Sequence, residues 1–432
     1  MNKKYKTGAL PTGELTKPSL NARVGIAFDI GTTTIAAGLV DLSSGETLSA
    51  LSAPNPQSKW GADVISRITA ISKDPKVLPE ISRAVVEACN GLTHALTGGR
   101  SSLVREISAA GNSVMEHILL NISPEPLARV PYKPAFKEAR RLAARDVGFD
   151  AGDGALFYAF PLIGAFVGGD AVAAALSLGL NKTAKTALLI DIGTNSEIIL
   201  CVGGTLYAAS AAAGPAFEGG GVKCGMTAQN GAIKGVRITG DSLALDVIGS
   251  VGARGICGSG LIEAVSELIK AGLIEKTGRI KNAGEVHTNL SSKIKEAPEG
   301  NAVVLSKGPA GEITLSQGDV RSLQTAKAAI RAGIAILLKK ADVSAAEVEA
   351  VYLAGAFGSN INPTALETIG LLEKDWNGRV RFMGDAALEG AALCLGSEEK
   401  KKEAEETAAK AKYVSLSGSA NFEREFIRSM NF

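Results

Sequence analysis

Asp29-Ile30-Gly31-Thr32-Thr33-Thr34 closes one apolar run, Gly25-Ile26-Ala27-Phe28. Asp191-Ile192-Gly193-Thr194-Asn195-Ser196 closes another, Ala187-Leu188-Leu189-Ile190. A second apolar run follows each, Ile35 to Val40 and Ile198 to Val202. Apolar runs of this length on either side of a glycine turn read as paired strands. The chain thus carries one unit, strand–Asp-Ile-Gly-Thr–strand, twice.

A strand that turns sharply back leaves N–H groups unpaired at its tip. Gly31 and Gly193 allow the dihedrals that aim those groups together. Such a concavity suits phosphate oxygens. The side chains of Thr32, Thr33, Thr34, Thr194 and Asn195 add donors. Asp29 and Asp191, at the strand ends, are expected to hold Mg²⁺ directly or through water; for each, the alternative is capping of its own turn. A single turn of this kind reads as an ordinary hairpin. Two in the same frame read as a duplicated unit closing on one anionic ligand, ATP with a divalent metal.

Composition narrows the field. The 432 residues supply roughly two to four domains. A formal charge of +2 gives no electrostatic case for nucleic acid or an anionic membrane. No apolar run reaches the roughly 20 residues of a membrane span; Ala171–Leu180 reads as a short buried helix. The basic start, Met1 to Lys6, has no apolar stretch behind it, so it is not read as a signal peptide. Cys89, Cys201, Cys224, Cys257 and Cys394 are scattered and odd in number, with no Cys-x-x-Cys pair. They encode neither a disulfide framework nor a zinc ribbon or ferredoxin-type cluster, and a cytoplasmic location is expected. The charged run Glu398–Lys412 reads as a solvated helix with internal ion pairs.

Residues 1–22 are expected to form a flexible tail, 23–184 a first lobe, and 185–432 a second lobe with a small insertion near 276–318. The first lobe opens with a meander over Val24–Asp29, Ile35–Asp41 and Thr47–Ala53. Helices over Gly61–Ile71 and Leu78–Thr97, a strand over Val104–Ala110 and a helix over Ser113–Leu120 follow. Residues 123–155, with Pro124, Pro126, Pro131 and Pro134, read as irregular, and Asp170–Leu180 as helical. The meander restarts over 186–191, 196–202 and 205–210. Glycine-rich loops cover Gly214–Gly221 and Val251–Gly260, the second leading into a helix over Leu261–Ala271. A helix over Thr325–Lys340 precedes a strand over Val351–Leu353, which ends in Ala354-Gly355-Ala356-Phe357-Gly358. A strand over Arg379–Met383 and a helix over Ala386–Leu395 come last. The pattern describes an α/β protein of two similar lobes with a ligand cleft between them.

With both turns and the Ala354–Gly358 loop in view, the chain resembles the actin-like ATPase superfamily. That superfamily includes acetate and sugar kinases, Hsp70-type chaperones and actin, and its lobes are duplicated RNase H-like folds. The resemblance makes the two turns its phosphate motifs and assigns Gly355, Ala356, Phe357 and Gly358 to the adenosine. Longer strings are similar to reductive activators of corrinoid proteins: Ala110-Gly111-Asn112-Ser113-Val114-Met115-Glu116-His117, Pro161 to Asp170, Gly214-Pro215-Ala216-Phe217-Glu218-Gly219-Gly220, Lys223-Cys224-Gly225-Met226 and Gly255-Ile256-Cys257-Gly258-Ser259-Gly260-Leu261. That family couples ATP binding and hydrolysis to the return of an inactive Co(II) corrinoid to Co(I). It implies a corrinoid protein or a corrinoid-dependent methyltransferase as partner, with homodimerisation as an option. Many such activators carry an N-terminal plant-type 2Fe–2S domain with Cys-x₄-Cys-x₂-Cys spacing. The chain has no such spacing, so no iron–sulfur cluster is expected in it, and electrons are expected from a separate ferredoxin-like donor.

The resemblance also supplies roles for further residues. Glu218 is expected to accept ribose hydroxyls, and Gly219 and Gly220 to let backbone approach the nucleotide. Gly258, Ser259 and Gly260 open a helix whose N-terminus can face an anion. Glu197 is read either as orienting the attacking water or as a solvent-facing strand residue. Asp170 is read either as a metal or water ligand or as a helix N-cap. Related activators of 2-hydroxyacyl-CoA dehydratases hold a cluster with a cysteine placed like Cys257, but they need a second one further on. Here the next is Cys394, so Cys224 and Cys257 read as small buried fillers, and His117 as a core histidine. Two other roles suit the superfamily. One is a small-molecule kinase, for which no separate catalytic base stands out; the other is a nucleotide-switched reactivating factor for a cofactor enzyme.

Overall fold

The computed structural model describes residues 23–308, 311–355 and 361–432. The tail expected over 1–22 and the Ala356, Phe357 and Gly358 part of the adenosine loop lie outside the described residues. In chain order come β1 (Val24–Ile30), β2 (Thr34–Asp41), β3 (Thr47–Pro54), α1 (Val64–Lys73) and α2 (Val77–Thr97). Next are β4 (Val104–Gly111), α3 (Ser113–Leu119), β5 (Arg140–Ala143), α4 (Ala144–Val147), β6 (Leu156–Ala159) and α5 (Gly169–Ser177). A second meander, β7 (Ala187–Ile192), β8 (Ser196–Val202) and β9 (Thr205–Ala211), leads to β10 (Ala232–Thr239), β11 (Ser242–Val247), β12 (Gly255–Ile256) and α6 (Gly258–Lys270). Then follow β13 (Ile294–Lys295), β14 (Ala302–Gly308), β15 (Gly311–Ser316) and α7 (Gln317–Ala341). The order is completed by β16 (Ala350–Gly355), α8 (Pro363–Thr368), β17 (Val380–Phe382), α9 (Ala386–Cys394), α10 (Glu398–Lys410), β18 (Lys412–Tyr413) and α11 (Ala420–Arg428).

Duplication is visible in the sheet order. One six-stranded sheet runs β3-β2-β1-β4-β6-β5 and the other β17-β16-β7-β8-β9-β18. Each meander is extended, from its first strand, by two later strands: β4 then β6, and β16 then β17. β1 runs antiparallel to β2 and parallel to β4. β16 runs parallel to both β7 and β17. Two smaller sheets, β11-β10-β12 and β13-β14-β15, lie in the second half of the chain.

By compactness the chain falls into two units. One gathers Met1–Lys185, Cys201–Ala209 and Gly384–Val414; the other gathers Thr186–Leu200, Ser210–Met383 and Ser415–Phe432. In the first unit α2 covers one side of the sheet at β2 and β3, while α9 lies on β1, β2 and β4. Burial on both faces explains why β1 is an unbroken apolar run up to Asp29. Ile26, Phe28, Ile30, Ile35 and Leu39 join Val85, Cys89, Ile107 and Phe157 in its core. On α5, Ala171, Ala173, Ala174 and Ala175 are all buried. Their small size lets α9 approach until a Cβ on Gly390 would stand 1.9 Å from the Ala173 carbonyl oxygen.

Several local readings change. α1 starts at Val64, not Gly61, because Asp63 and Ser66 form a reciprocal cap. α5 stops at Ser177, and Gly179 turns the chain in a left-handed conformation. α6 begins at Gly258, three residues before the apolar stripe that betrayed it. α7 begins at Gln317, where Ser316 and Asp319 cap one another. The stretch 123–155 holds β5, paired with β6, and the hairpin β10–β11 has no counterpart in the sequence reading. The charged helix α10 is not merely solvated. Lys401 is buried, with its ammonium 2.5 Å from Glu106 and 2.6 Å from Glu398, and buried Glu403 pairs with Lys182 and Lys400.

Two glycines give opposite expectations. Gly91 is exposed inside α2 with nothing within 4 Å of an added Cβ; Gly91→Ala is expected to raise stability by roughly 0.5–1 kcal/mol. Gly390→Ala forces α9 off α5 and is expected to cost about 1–3 kcal/mol. Urea unfolding followed by circular dichroism measures both.

Candidate functional site

The first turn is held from beneath. Asp29 lies half-buried near the end of β1, opposite Ala36 of β2 and Ala110 of β4. At Gly31 the chain folds so tightly that a Cβ would stand 2.7 Å from the Thr34 carbonyl oxygen. The Asn55 side-chain amide donates to the Gly31 carbonyl at 2.8 Å, and the Asn55 backbone N–H donates to the Thr33 carbonyl at 2.8 Å. Arg67 Nη2 donates to the Thr32 carbonyl at 2.6 Å, and Asn112 Nδ2 donates to Thr32 Oγ1 at 3.0 Å. Three successive carbonyls therefore point into the protein. In a planar trans peptide the N–H of the next residue points the opposite way, so the N–H groups of Thr32, Thr33 and Thr34 each point away from the partner of the carbonyl before them.

The supporting residues are polar and buried. Arg67, on α1, is fully buried. Its Nη1 donates to Gln57 Oε1 at 3.0 Å and to Met115 Sδ at 3.2 Å, and its Nε to the Gly61 carbonyl at 3.0 Å. Burial lowers its pKa to about 10, against a smaller upward pull from Asp63, so it stays cationic at neutral pH. Sequence reasoning missed Arg67, Asn55 and Gln57. The available signal was an arginine on the face that α1 shares with Val64, Ile68 and Ile71.

Asn112 N-caps α3, accepting from the Val114 and Met115 N–H groups. One turn further on, Glu116 is fully buried and accepts from the Gly111 N–H at 3.3 Å. Burial, and then the charge of Asp170, raise its pKa well above the ordinary carboxyl value. The start of α5 packs on this turn. A Cβ on Gly168 would stand 2.4 Å from the Gly111 carbonyl oxygen, and one on Gly169 would stand 2.0 Å from Glu116 Oε1. Asp170 is the second residue of α5, and the N-cap position belongs to Gly168. Desolvation raises Asp170 to about 6. The structure thus places Asp170 beside the same β4–α3 turn that reaches Thr32. His117, stacked on Phe136 at 4.5 Å, accepts from the Ala135 N–H and bonds the Ser113 carbonyl, as a core histidine.

The second turn is built differently. Asp191 lies opposite Ala354 in the parallel pair β7–β16. The next residue of β16, Gly355, has φ +86°, and a Cβ there would stand 2.4 Å from Asp191 Oδ1. The carboxylate therefore rests against bare backbone. The Thr194 carbonyl accepts from the Gly214 N–H at 2.9 Å, and the Gly193 carbonyl from Ser196 Oγ at 3.2 Å. Glu218, expected on the ribose, accepts from the Thr194 N–H at 2.8 Å and from Thr194 Oγ1 at 3.1 Å. Glu197 is buried and accepts from Ser210 Oγ at 3.2 Å, which removes the solvent-facing reading.

The other glycines bring backbone against backbone. A Cβ on Gly219 would meet the Met226 carbonyl oxygen at 2.5 Å, and one on Gly220 would meet Pro215 Cβ at 2.6 Å. On Gly258 it would meet the Phe217 carbonyl oxygen at 1.7 Å, and on Gly260 the Ile233 carbonyl oxygen at 2.0 Å. Ser259 Oγ donates to the Lys234 carbonyl at 3.0 Å. The start of α6 thus serves close packing, whatever else it does. Cys257 is buried, whereas Cys224 is partly exposed, unlike the buried filler expected. Among the described residues no group of three or more His, Cys, Asp or Glu is placed to hold a metal ion. Each turn brings one strand-end aspartate, a donor suited to water-mediated contact with Mg²⁺.

Comparison with known proteins gives the family of the chain. The family model described as the C-terminal domain of RACo, the ASKHA domain, matches residues 185–432, and that of the RACo middle region matches residues 24–183. The corrinoid activation enzyme RamQ of Eubacterium limosum is 35% identical over 399 residues, covering 90% of this chain and 66% of RamQ. A Co(II) methylated amine-specific corrinoid protein reductase of Methanosarcina barkeri is 28% identical over 385 residues, covering 80% of this chain and 65% of that protein. A solved reductive activator for corrinoid, iron–sulfur protein matches with a TM-score of 0.86 at 33% identity, over 96% of this chain and 67% of that one. The chain spans about two thirds of the length of the curated relatives it matches.

Two substitutions test the support of the first turn. Arg67→Met strips the Thr32 and Gly61 carbonyls of their donors. It is expected to cost about 3 kcal/mol in urea unfolding and to speed amide exchange at residues 31–34. Glu116 has a folded pKa above its unfolded one, so the stability it contributes is complete at low pH and is lost as pH rises. Glu116→Gln cannot ionise, so it should gain stability on the native protein as pH rises above the ordinary carboxyl range. A flat difference across that rise would count against the buried-acid account.

Proposed function

The chain belongs to the RACo family through both its middle region and its C-terminal ASKHA domain, and on that premise we propose that it is an ATP-driven activator of a corrinoid protein. It binds ATP with Mg²⁺ and hydrolyses it, and the free energy drives an inactive Co(II) corrinoid to Co(I). The single electron comes from a separate, ferredoxin-like donor. The partner is a corrinoid protein or a corrinoid-dependent methyltransferase, the compartment is the cytoplasm, and a homodimer is the form to look for first.

The observation that carries this reading is the first turn, where Asn55 and Arg67 tether the three successive carbonyls of Gly31, Thr32 and Thr33. The N–H groups of Thr32, Thr33 and Thr34, with the hydroxyls of Thr33 and Thr34, would take phosphate oxygens, and Asp29 at the first turn and Asp191 at the second would each offer a water-mediated contact to Mg²⁺. Gly193 and Asn195 complete the second turn, and Gly355 begins the adenosine loop. Asp170 sits near neutrality, the range in which a general base works best, and Glu197 would orient the attacking water. The names of the relatives support the cobalt half of the proposal. The thermodynamic requirement is differential affinity: nucleotide moves the redox equilibrium only as far as its bound and spent forms favour different partner states.

The test mixes the protein with a Co(II) corrinoid protein, Mg²⁺ and a strong reductant, and follows the cobalt absorption bands. Co(I) should form with ATP and not without it. ATP consumption that instead tracks an added alcohol or acid would point to a kinase. Asp191→Ala should lower ATP turnover by about 100-fold or more; full turnover in that variant would refute the site assignment.

A further inference from the structure

We propose that the Glu218 carboxylate is the resident anion of the second glycine turn, seated on donors that a nucleotide phosphate takes and expelled from them when nucleotide enters. The inference rests on the nucleotide reading above and adds a residue that discriminates by ligand charge. One oxygen, Oε1, accepts both Thr194 donors, the N–H at 2.8 Å and the hydroxyl at 3.1 Å. The same oxygen lies 3.5 Å from where a Cβ on Gly193 would stand, so it fills the bare side of the turn. A phosphate oxygen on such a turn would make this same pair of charge-assisted bonds.

Two anions cannot share those donors, because like charges within a few ångströms repel strongly. Glu218 is also mounted so that it can leave. It ends the short 3₁₀ segment Pro215–Glu218, flanked by Gly214 at φ +78° and Gly219 at φ +81°. Glycine tolerates changes of torsion at such positions that other residues resist. The segment is packed on its other side, where the Phe217 carbonyl abuts Gly258 too closely for even a methyl group. Expulsion of Glu218 is therefore felt at the start of α6. The ligand class follows: a polyphosphate ester displaces the carboxylate, whereas an uncharged nucleoside does not.

Isothermal titration of the full chain with a non-hydrolysable ATP analogue, pyrophosphate and adenosine tests this, using wild type, Glu218→Gln and Glu218→Asp. Thermal melts confirm folding. The expected result is that Glu218→Gln binds the ATP analogue and pyrophosphate about tenfold more tightly and adenosine unchanged. Glu218→Asp, one methylene short of the turn, should behave the same way. Equal weakening for the ATP analogue and adenosine would put Glu218 on the ribose and overturn the inference. Weakening of all three ligands with a lowered melting temperature would make the residue structural and overturn it too. If wild type binds neither the ATP analogue nor pyrophosphate, the nucleotide reading itself falls, and this inference with it.

Discussion

The buried guanidinium of Arg67 holds the first turn in place. Removing a cation from water costs several kcal/mol unless its donors are satisfied. Arg67 meets that condition with the carbonyls of Thr32 and Gly61, the Gln57 amide oxygen and Met115 Sδ. Its pull on the Thr32 carbonyl, with that of Asn55 on both neighbours, fixes three peptide planes at once. Peptide planarity then turns each following N–H away from the partner of the carbonyl before it. The conformation of the turn is thus set from behind, by Arg67 and Asn55.

The two copies of the turn have parted company in how they are supported. In the first, Asn55 and Arg67 grip the carbonyl side, and Asn112 of the β4–α3 turn donates to the Thr32 hydroxyl. In the second, a backbone N–H from Gly214 and a serine hydroxyl take the carbonyls, while Glu218 sits on the donor side. The aspartates have diverged as well: Asp191 rests against Gly355, and Asp29 lies within the β2-β1-β4 ladder. A duplicated fold therefore need not give duplicated chemistry.

Close approach of backbone recurs wherever these elements meet. Gly168 and Gly169 on the β4–α3 turn, Gly258 and Gly260 at the head of α6, Gly355 on Asp191 and Gly390 on α5 leave no space for a methyl group. Packed so tightly, these segments have little freedom for small adjustment. A ligand that moves one of them must move its neighbour.

The paired Asp-Ile-Gly-Thr frames, the two meanders and the helix over Val77–Thr97 were legible in sequence, because hydrophobic periodicity and glycine punctuation are local signals. So were the identities of Asp29, Gly31, Asp191 and Gly193, since a strand-end acid before a glycine turn is a contiguous string. The partners of those strings were not. Arg67 lies 35 residues from the carbonyl it holds, Asn112 lies 80 from Thr32, and Lys401 lies far along the chain from Glu106. A charge looks solvated in sequence until the fold supplies its counter-charge, and for that reason α10 read as an exposed helix. The contact of Glu218 with Thr194, 24 residues away, was likewise not legible. Sequence alone determined which residues form the strands and turns, because that choice depends on neighbours a few positions away. Only tertiary structure decided which way each peptide of a turn faces, because that is set by hydrogen bonds between segments that meet only when the chain is folded.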